Sequence, residues 1–464
     1  MLDGVVMTSA NPLTNGRTRT TRVLVGLAAH LLLGCILVGC ESESPPPVPA
    51  TAAPPAGEPE PGAKPPVTEC GTKVPAPRCS ALTAAPRDPA KVSSFVTESA
   101  IPLRCDVAGS DAAWNVQPLV ELFADNKVFM MGEVHGQNEI GIVSAVVFET
   151  LAAKNLVNVL ALEVPMDLEP DFQRYVDTGR DLTVAKVASQ VPNMFVVTLL
   201  KAARALKQKG ISVRVVGVDI PEDPQFAARE IKAIAAKLTT QRAAVLDTLP
   251  STFGTPSSIA DIDAYFDAVT AKKDSICSEL SPADCDRLIA MTNALWCSVH
   301  GRSRKDDLRY GRREEAIYSN IKTAITSDAR MYLHMGSEHT TKRGTVAPGR
   351  AGAGARLSNE NEATRGKVIA IGPAWSPGST VFYAGAETEA SATDFSVTTA
   401  FPAPPAQPMF VSTLAPSARC EANPIGAEVT EDGPRGEVFD GYIHYGKLTP
   451  ENRPGDTVLK VRGR

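Results

Sequence analysis

No stretch of this 464-residue sequence gathers the clustered lysine and arginine that a phosphate backbone demands, and its formal net charge is -5. Nucleic acid is therefore excluded as a partner class. No two cysteines have the CxxC spacing of a zinc ribbon or a thioredoxin-like site. No Gly-x-Ser-x-Gly elbow occurs, which disfavours a serine nucleophile. No internal repeat is visible. The apolar run Val23–Val38 is about sixteen residues, short for a membrane span and typical of the hydrophobic part of a signal peptide.

What is present at the N-terminus fits that reading. Arg17, Arg19 and Arg22 precede the run, and Leu37-Val38-Gly39-Cys40 closes it in the form of a lipobox, with Cys35 a weaker second candidate. An uncleaved anchor is disfavoured, because His30 interrupts the run and Glu41 follows it at once. Residues 1–39 are expected to be removed and Cys40 to carry a diacylglycerol. Several acyl chains together hold a protein to a bilayer far better than one. The expected location is the cell envelope, lipid-anchored and facing the periplasm or exterior, in the outer membrane if the host has two. Beyond Cys40 the chain keeps Cys70, Cys79, Cys105, Cys277, Cys285, Cys297 and Cys420, an odd number for which disulfides are the default outside the cytoplasm. Cys277 and Cys285 are spaced to bridge a short loop between helices.

The Pro-, Ala- and Glu-rich segment 40–69 cannot bury enough surface to offset its ordering entropy and is expected to be a tether. Extended, it reaches on the order of 80 Å. Residues 70–114 are expected to form a cystine-containing segment, and 115–464 an α/β domain. Within that domain apolar runs alternate with helical patterns: strands at Lys127–Met131, Val157–Val164 and Val213–Ile220, helices at Gln117–Asp125, Asn138–Lys154 and Asn193–Lys209. Such alternation predicts a mostly parallel sheet with helices on both faces. Helical patterns fill about 224–326, read as an insertion or cap. Strand character returns at Met331–Met335, Lys367–Ile371 and Gly441–Leu448. Thr345–Gly366 reads as a mobile loop and 385–438 as irregular.

Polar clusters stand where these strands end, which is where open α/β sheets gather ligands and reactive groups. Glu133 and His135 in Gly132-Glu133-Val134-His135-Gly136 are two apart, so in an extended segment they face one side. Glu163 ends Leu160-Ala161-Leu162-Glu163, Gly336-Ser337-Glu338-His339 follows Met331–Met335, and Asp219 supplies a further strand-end carboxylate. Carboxylates ending buried strands are costly unless paired.

These residues resemble the erythromycin esterase family and the ChaN and TIKI-like proteins. The Gly132–Gly136 loop is similar to the glutamate and histidine loop of those families, one residue shorter than the esterase form. Leu162-Glu163 resembles their second-strand glutamate, Arg313-Glu314 with Asn320 resembles their Arg-Asp and Asn helix, and His339 matches the terminal histidine. Phe439–His444 looks like the esterase family's C-terminal strand. Esterases carry a further histidine three residues before the terminal one. Here that position is Gly336, as in the TIKI-like branch, and His334 is two residues too early to replace it.

The resulting expectation is a hydrolase. His135 takes a proton from water, with Glu133 or Glu163 orienting it. His339 donates to the oxyanion or leaving group, and Arg313 supplies fixed positive charge. The substrate is expected to be a small-molecule or peptide ester, or an amide. The same Glu133, His135, Glu163 and His339 form a mixed N and O set suited to Mn, Co, Fe or Zn. The ChaN resemblance implies the alternative of a non-catalytic haem or iron binder, for which Tyr310, Tyr318 and Tyr332 are the candidate axial groups. Asp219 with Arg313 is equally a structural ion pair. Glu338 reads as a solvated neighbour, His30, His300, His334 and His444 as structural, and Trp114, Trp296 and Trp375 as core or rim residues.

The lipobox reading generates the first prediction. Replacing Cys40→Ser is expected to move the protein from the membrane pellet to the soluble fraction after cell disruption; a variant still sedimenting with membranes would exclude Cys40 as the anchor.

Overall fold

Eight strands join in one sheet because each central strand buries both of its faces. The computed structural model describes residues 86, 88–105, 113–180, 194–253, 256–300, 307–347, 350–383, 386–389, 401, 405–413, 425, 429–430 and 433–450. The expected signal peptide, the Pro-rich tether, Cys70, Cys79 and Cys420 lie outside them. The strands are β1 (Ile101–Pro102), β2 (Val128–Glu133), β3 (Val159–Pro165), β4 (Arg214–Asp219), β5 (Met331–Gly336), β6 (Val368–Ala374), β7 (Met409–Ser412) and β8 (Gly441–His444), in the order β1-β7-β8-β6-β2-β5-β3-β4. The six from β8 to β4 pair in parallel, while β7 pairs antiparallel with both β8 and β1. The expected mostly parallel α/β sheet is what forms.

Alternation along the strands divides the core. Phe129, Met131, Leu160, Leu162, Tyr332, Ile369 and Ile371 pack on one face with Val143, Val147 and Phe148 of α3 (Asn138–Ala153) and with Leu199 and Leu206 of α5 (Met194–Gln208). The helices α2 (Gln117–Phe123) and α4 (Glu169–Thr178) complete that layer. Val128, Met130, Val159, Ala161, Met331 and Leu333 face the other way, toward α1 (Pro89–Ser99), α9 (Asp307–Ala324) and α11 (Ala353–Asn359). A third cluster belongs to α6 (Pro224–Ala235), α7 (Pro256–Ala271) and α8 (Pro282–His300), the expected helical insertion. The boundary of that insertion is softer than its sequence pattern: on α9, Ala316 packs with the insertion, whereas Ile317, Tyr318 and Ile321 pack on the sheet. Cys277 and Cys285 form a disulfide between the short helix Lys273–Cys277 and α8, as expected. Among the described residues no helix is long and apolar enough to cross a membrane.

Three segments differ from their sequence reading. Thr345–Gly366 is not a loop throughout: Thr345–Ala347 pairs with Arg350–Ala351, and α11 follows with Ala353, Gly354, Ala355 and Leu357 buried. Small residues there are a packing device, because they let backbones approach. Within 385–438, expected to be irregular, Met409–Ser412 forms β7 and its Phe410 and Val411 are fully buried. Helix α1, unexpected in the cystine-containing segment, is capped by the Asp88 side chain accepting from Lys91 N and inserts Val92 and Val96 into the core.

Helix α11 reaches α10 (Ser337–Thr340) because Gly354 has no side chain: a Cβ there would stand 2.6 Å from Thr341 O and 2.9 Å from His339 O. Gly354→Ala is expected to destabilise the fold by about 1–3 kcal/mol, the usual range for overpacking, read by urea unfolding. A variant as stable as the parent would show that this contact gives way freely.

Candidate functional site

The ends of β2, β3, β4 and β5 lie side by side, and register decides what meets there. Glu133, last in β2, pairs with Gly336, last in β5, and Leu162 pairs with His334 one strand further on. Gly136, at φ 79°, turns the chain out of the rim, and Gln137 then starts α3 by accepting from Ile140 N. Between them His135 folds back, placing its Nδ1 2.6 Å from Glu133 Oε1. The reactive groups of Glu133, His135 and Glu163 all lie within 4.8 Å of one another. His135 is the accessible member, with a quarter of its side chain exposed, while Glu133 is sealed.

Glu163 anchors the other half. Its Oε1 accepts from Arg313 at 2.6 Å, its Oε2 accepts from Gly336 N at 2.7 Å, and His339 Nε2 stands 3.5 Å from Oε1. The Arg313 guanidinium also spans Asp219, with Nε 2.9 Å from Oδ1 and its terminal nitrogen 3.0 Å from Oδ2. Such fork geometry is the strong form of the carboxylate pair. His339 is fixed from behind by Glu314, whose Oε2 is 2.5 Å from Nδ1 and whose Oε1 accepts from Ala353 N. Tyr310 covers His339 at a ring separation of 5.7 Å and donates to Glu338, an exposed neighbour as expected.

Burial and charge oppose each other throughout. Burial works against an ionised Glu163, yet His339, Arg313, His135 and the Gly336 N–H together hold its carboxyl well below the usual range. Burial likewise disfavours a charged His339, but Glu314 and Glu163 outweigh it and raise its proton affinity above that of a free imidazole. Arg313 is held charged by Asp219 and Glu163 against its own desolvation. Four carboxylates, those of Glu133, Glu163, Asp219 and Glu314, thus share this rim with the Arg313 guanidinium and the imidazoles of His135 and His339. Neither Glu133 oxygen has an aligned hydrogen-bond donor, although Oε1 touches His135.

All six residues expected at the site therefore meet in one cluster. Of the four expected to hold a metal, Glu133, His135 and Glu163 group together, while His339 has its Nδ1 on Glu314 and its Nε2 facing Glu163. Glu314 enters as the partner of His339, a role its place beside Arg313 in the sequence did not reveal. Tyr332 and Tyr310, expected as haem ligands, spend their hydroxyls on Ser144 and Glu338, and the Tyr318 ring lies under the Arg356 guanidinium at 3.7 Å. His300 and His444 are structural: His300 pairs with Asp263 at 2.9 Å and stacks on Trp296, and His444 accepts from Gly446 N at 3.0 Å.

Against solved structures, the chain matches the erythromycin esterase EreC, a histidine-to-asparagine mutant in its open conformation, at TM-score 0.52 and 14% identity over 73% of this chain and 96% of that one. The chain has the erythromycin esterase fold. It is matched as well by a succinoglycan biosynthesis protein, at TM-score 0.57 and 14% identity over 78% of this chain and 97% of that one. A Bacillus cereus protein matches at 0.55 and 16% over 79% of this chain and the whole of its own. No protein-family model matches the sequence, and no curated protein does. At such identities the esterase fold alone is shared.

Removing Arg313 takes the shared guanidinium from two buried carboxylates, which keep only weaker support from His339, Gly336 N–H and Ile220 N–H, and breaking such a buried pair typically costs about 3–5 kcal/mol. Arg313→Met is expected to show that loss at pH 7. Glu163 has its folded proton affinity lowered, so its stabilisation is complete above the unfolded carboxylate range near pH 4 and fades as pH falls. In the variant the stranded carboxylates gain by protonation, so the difference from the parent should shrink between pH 7 and pH 4 in urea unfolding. A pH-independent difference would contradict the ion-pair account.

Proposed function

We propose that this protein is a lipid-anchored, extracytoplasmic hydrolase that activates water against an ester or amide of a small-molecule or peptide substrate. The observation that carries the reading is the pairing of an accessible base, His135 on Glu133, with a buried proton donor, His339 on Glu314, at one strand-end cluster. With Nδ1 on Glu133, the base nitrogen of His135 is Nε2. It takes a proton from water as the oxygen bonds to the substrate carbonyl carbon, and Glu133 stabilises the imidazolium that forms. His339 meets the developing oxyanion with Nε2–H or passes that proton to the leaving atom, oxygen in an ester or nitrogen in an amide, as its bond to the carbonyl carbon breaks. Arg313, Glu163 and Glu314 act through these two imidazoles as positioning residues. The EreC likeness supports a hydrolytic fold and names no substrate for this chain.

The surplus of carboxylates at the rim and Glu133 Oε2, which has no aligned donor, favour a second reading, in which Glu133, His135 and Glu163 hold a divalent cation. Bound there, the ion would supply Lewis-acid polarisation of the carbonyl. Glu163 argues the other way, because Arg313 and Gly336 N already occupy its oxygens.

With 4-nitrophenyl acetate and butyrate as probes, His135→Ala is expected to lower turnover by about 10²-fold or more and to leave the melting temperature within a few degrees. Undiminished turnover would end the proposal. Dialysis against a chelator, with elemental analysis of the untreated protein, separates the two readings: activity lost and restored by Mn, Co, Fe or Zn selects the metal form.

A further inference from the structure

His334 carries a polar chain that the proposed chemistry does not use. It sits in β5 between Met131 and Leu162 and is completely buried. Its Nδ1 is 2.8 Å from Ser144 Oγ on α3, and that oxygen is 2.7 Å from Tyr332 Oη, which also lies 3.0 Å from Ser144 O. Phe129 stacks on the Tyr332 ring at 5.4 Å and Phe148 closes it at 5.5 Å. Three polar side chains are thus sealed in an apolar layer, where a half-satisfied network costs more than none.

Proton accounting leaves two consistent arrangements. In one, Tyr332 donates to the Ser144 carbonyl, Ser144 Oγ–H donates to Tyr332, and His334 carries its proton on Nδ1. In the other, Tyr332 donates to Ser144 Oγ, Ser144 donates to His334 Nδ1, and the ring proton sits on Nε2. Of the two mixtures, one puts two oxygen lone pairs together at 2.7 Å and the other, with Tyr332 and His334 both donating to Ser144 Oγ, leaves the Ser144 proton without an acceptor in this chain. What selects between them is the field of the site. Glu133 is the diagonal same-face neighbour of His334, two residues along β5 from its own partner Gly336, a spacing long side chains bridge. Burial keeps the ring neutral by pushing its proton affinity down to about 3, with Glu163 opposing and His135 adding to the fall. Glu163, held anionic by His339 and Arg313 and felt by this ring, favours an N–H, not a lone pair, on the nitrogen that Ser144 does not occupy.

We propose that the Tyr332, Ser144 and His334 chain locks His334 as the neutral Nε2–H tautomer, making it a positioning residue, a fixed N–H dipole beneath the Glu133, His135 and Glu163 cluster. The role in turnover rests on the hydrolytic reading; the tautomer does not. It requires a hydroxyl at Ser144 and tolerates loss of the Tyr332 hydroxyl, since Ser144 Oγ–H still reaches Nδ1.

The test is long-range proton–nitrogen NMR of the full chain labelled with ¹⁵N-histidine, chelator-treated, at pH 7, with His334→Gln assigning the resonance. Expected are an Nε2–H signature in the parent and in Tyr332→Phe, a mixed tautomer in Ser144→Ala, and displaced His135 signals in Ser144→Ala while those of His300 and His444 stay in place. An Nδ1–H or doubly protonated His334 in the parent overturns the proposal. So does a Ser144→Ala spectrum in which neither His334 nor His135 changes. Where the parent hydrolyses the nitrophenyl esters, Ser144→Ala should lower kcat roughly tenfold, as loss of an outer-shell partner does, with KM within about twofold. A parent that hydrolyses neither ester counts against the hydrolase, and the spectra still decide the tautomer.

Discussion

Arg313 between Glu163 and Asp219 is the interaction on which the site depends. Each of these three side chains comes from a different element, Glu163 and Asp219 almost wholly buried and Arg313 mostly so. A charge taken out of water at such depth is tolerated only when its partner is held in good geometry. The guanidinium meets that condition with its Nε and one terminal nitrogen on Asp219 and the same terminal nitrogen on Glu163. Because Glu163 is thereby kept anionic, its second oxygen can receive Gly336 N, and this fixes the turn from β5 into the short helix bearing His339. The ion pair stores little net stability against an apolar replacement. Its consequence is positional, since it ties the sheet rim to α9 and so to Glu314.

From that tie the division of labour between the histidines follows. His339 is enclosed by Glu314, Glu163 and the Tyr310 ring, a setting that holds a proton on it. His135 lies on the open side, its Nδ1 on Glu133 and Glu163 close by. Two imidazoles of the same intrinsic basicity thus stand in different settings, the enclosed His339 with its proton affinity raised and His135 at the accessible edge, and it is on this difference that the proposed acid and base roles rest.

The sheet and the strand-end carboxylates were legible because both are local signals. Val159–Leu162 and Val128–Met131 are unbroken apolar runs, and an acidic residue at the end of such a run must be paired or functional. The pairing of His339 with Glu314 was not legible, since the two are 25 residues apart on elements whose relative rotation no periodicity encodes. Nor was β7, where only Met409, Phe410 and Val411 mark a strand between Pro-rich segments. Helix α11 was hidden for the opposite reason: Gly352, Ala353, Gly354 and Ala355 read as a loop by composition, while in the fold their small size is what allows close packing on α10.

The departure from the esterase pattern at residue 336 has a physical counterpart. A Cβ on Gly336 would stand 3.3 Å from Glu163 Oε2 and 3.4 Å from His339 Cδ2, tighter than most such contacts, so a larger residue requires both groups to shift. Glycine here also keeps its N–H pointed at the carboxylate that Arg313 holds. A third imidazole on this strand is present nonetheless, two residues earlier and on the α3 face, where Ser144 receives it. The strand and the short helix after it thus supply a buried ring at His334, a backbone donor at Gly336 and an imidazole at His339, and the absence of a side chain at Gly336 lets Glu163 and His339 be held without crowding.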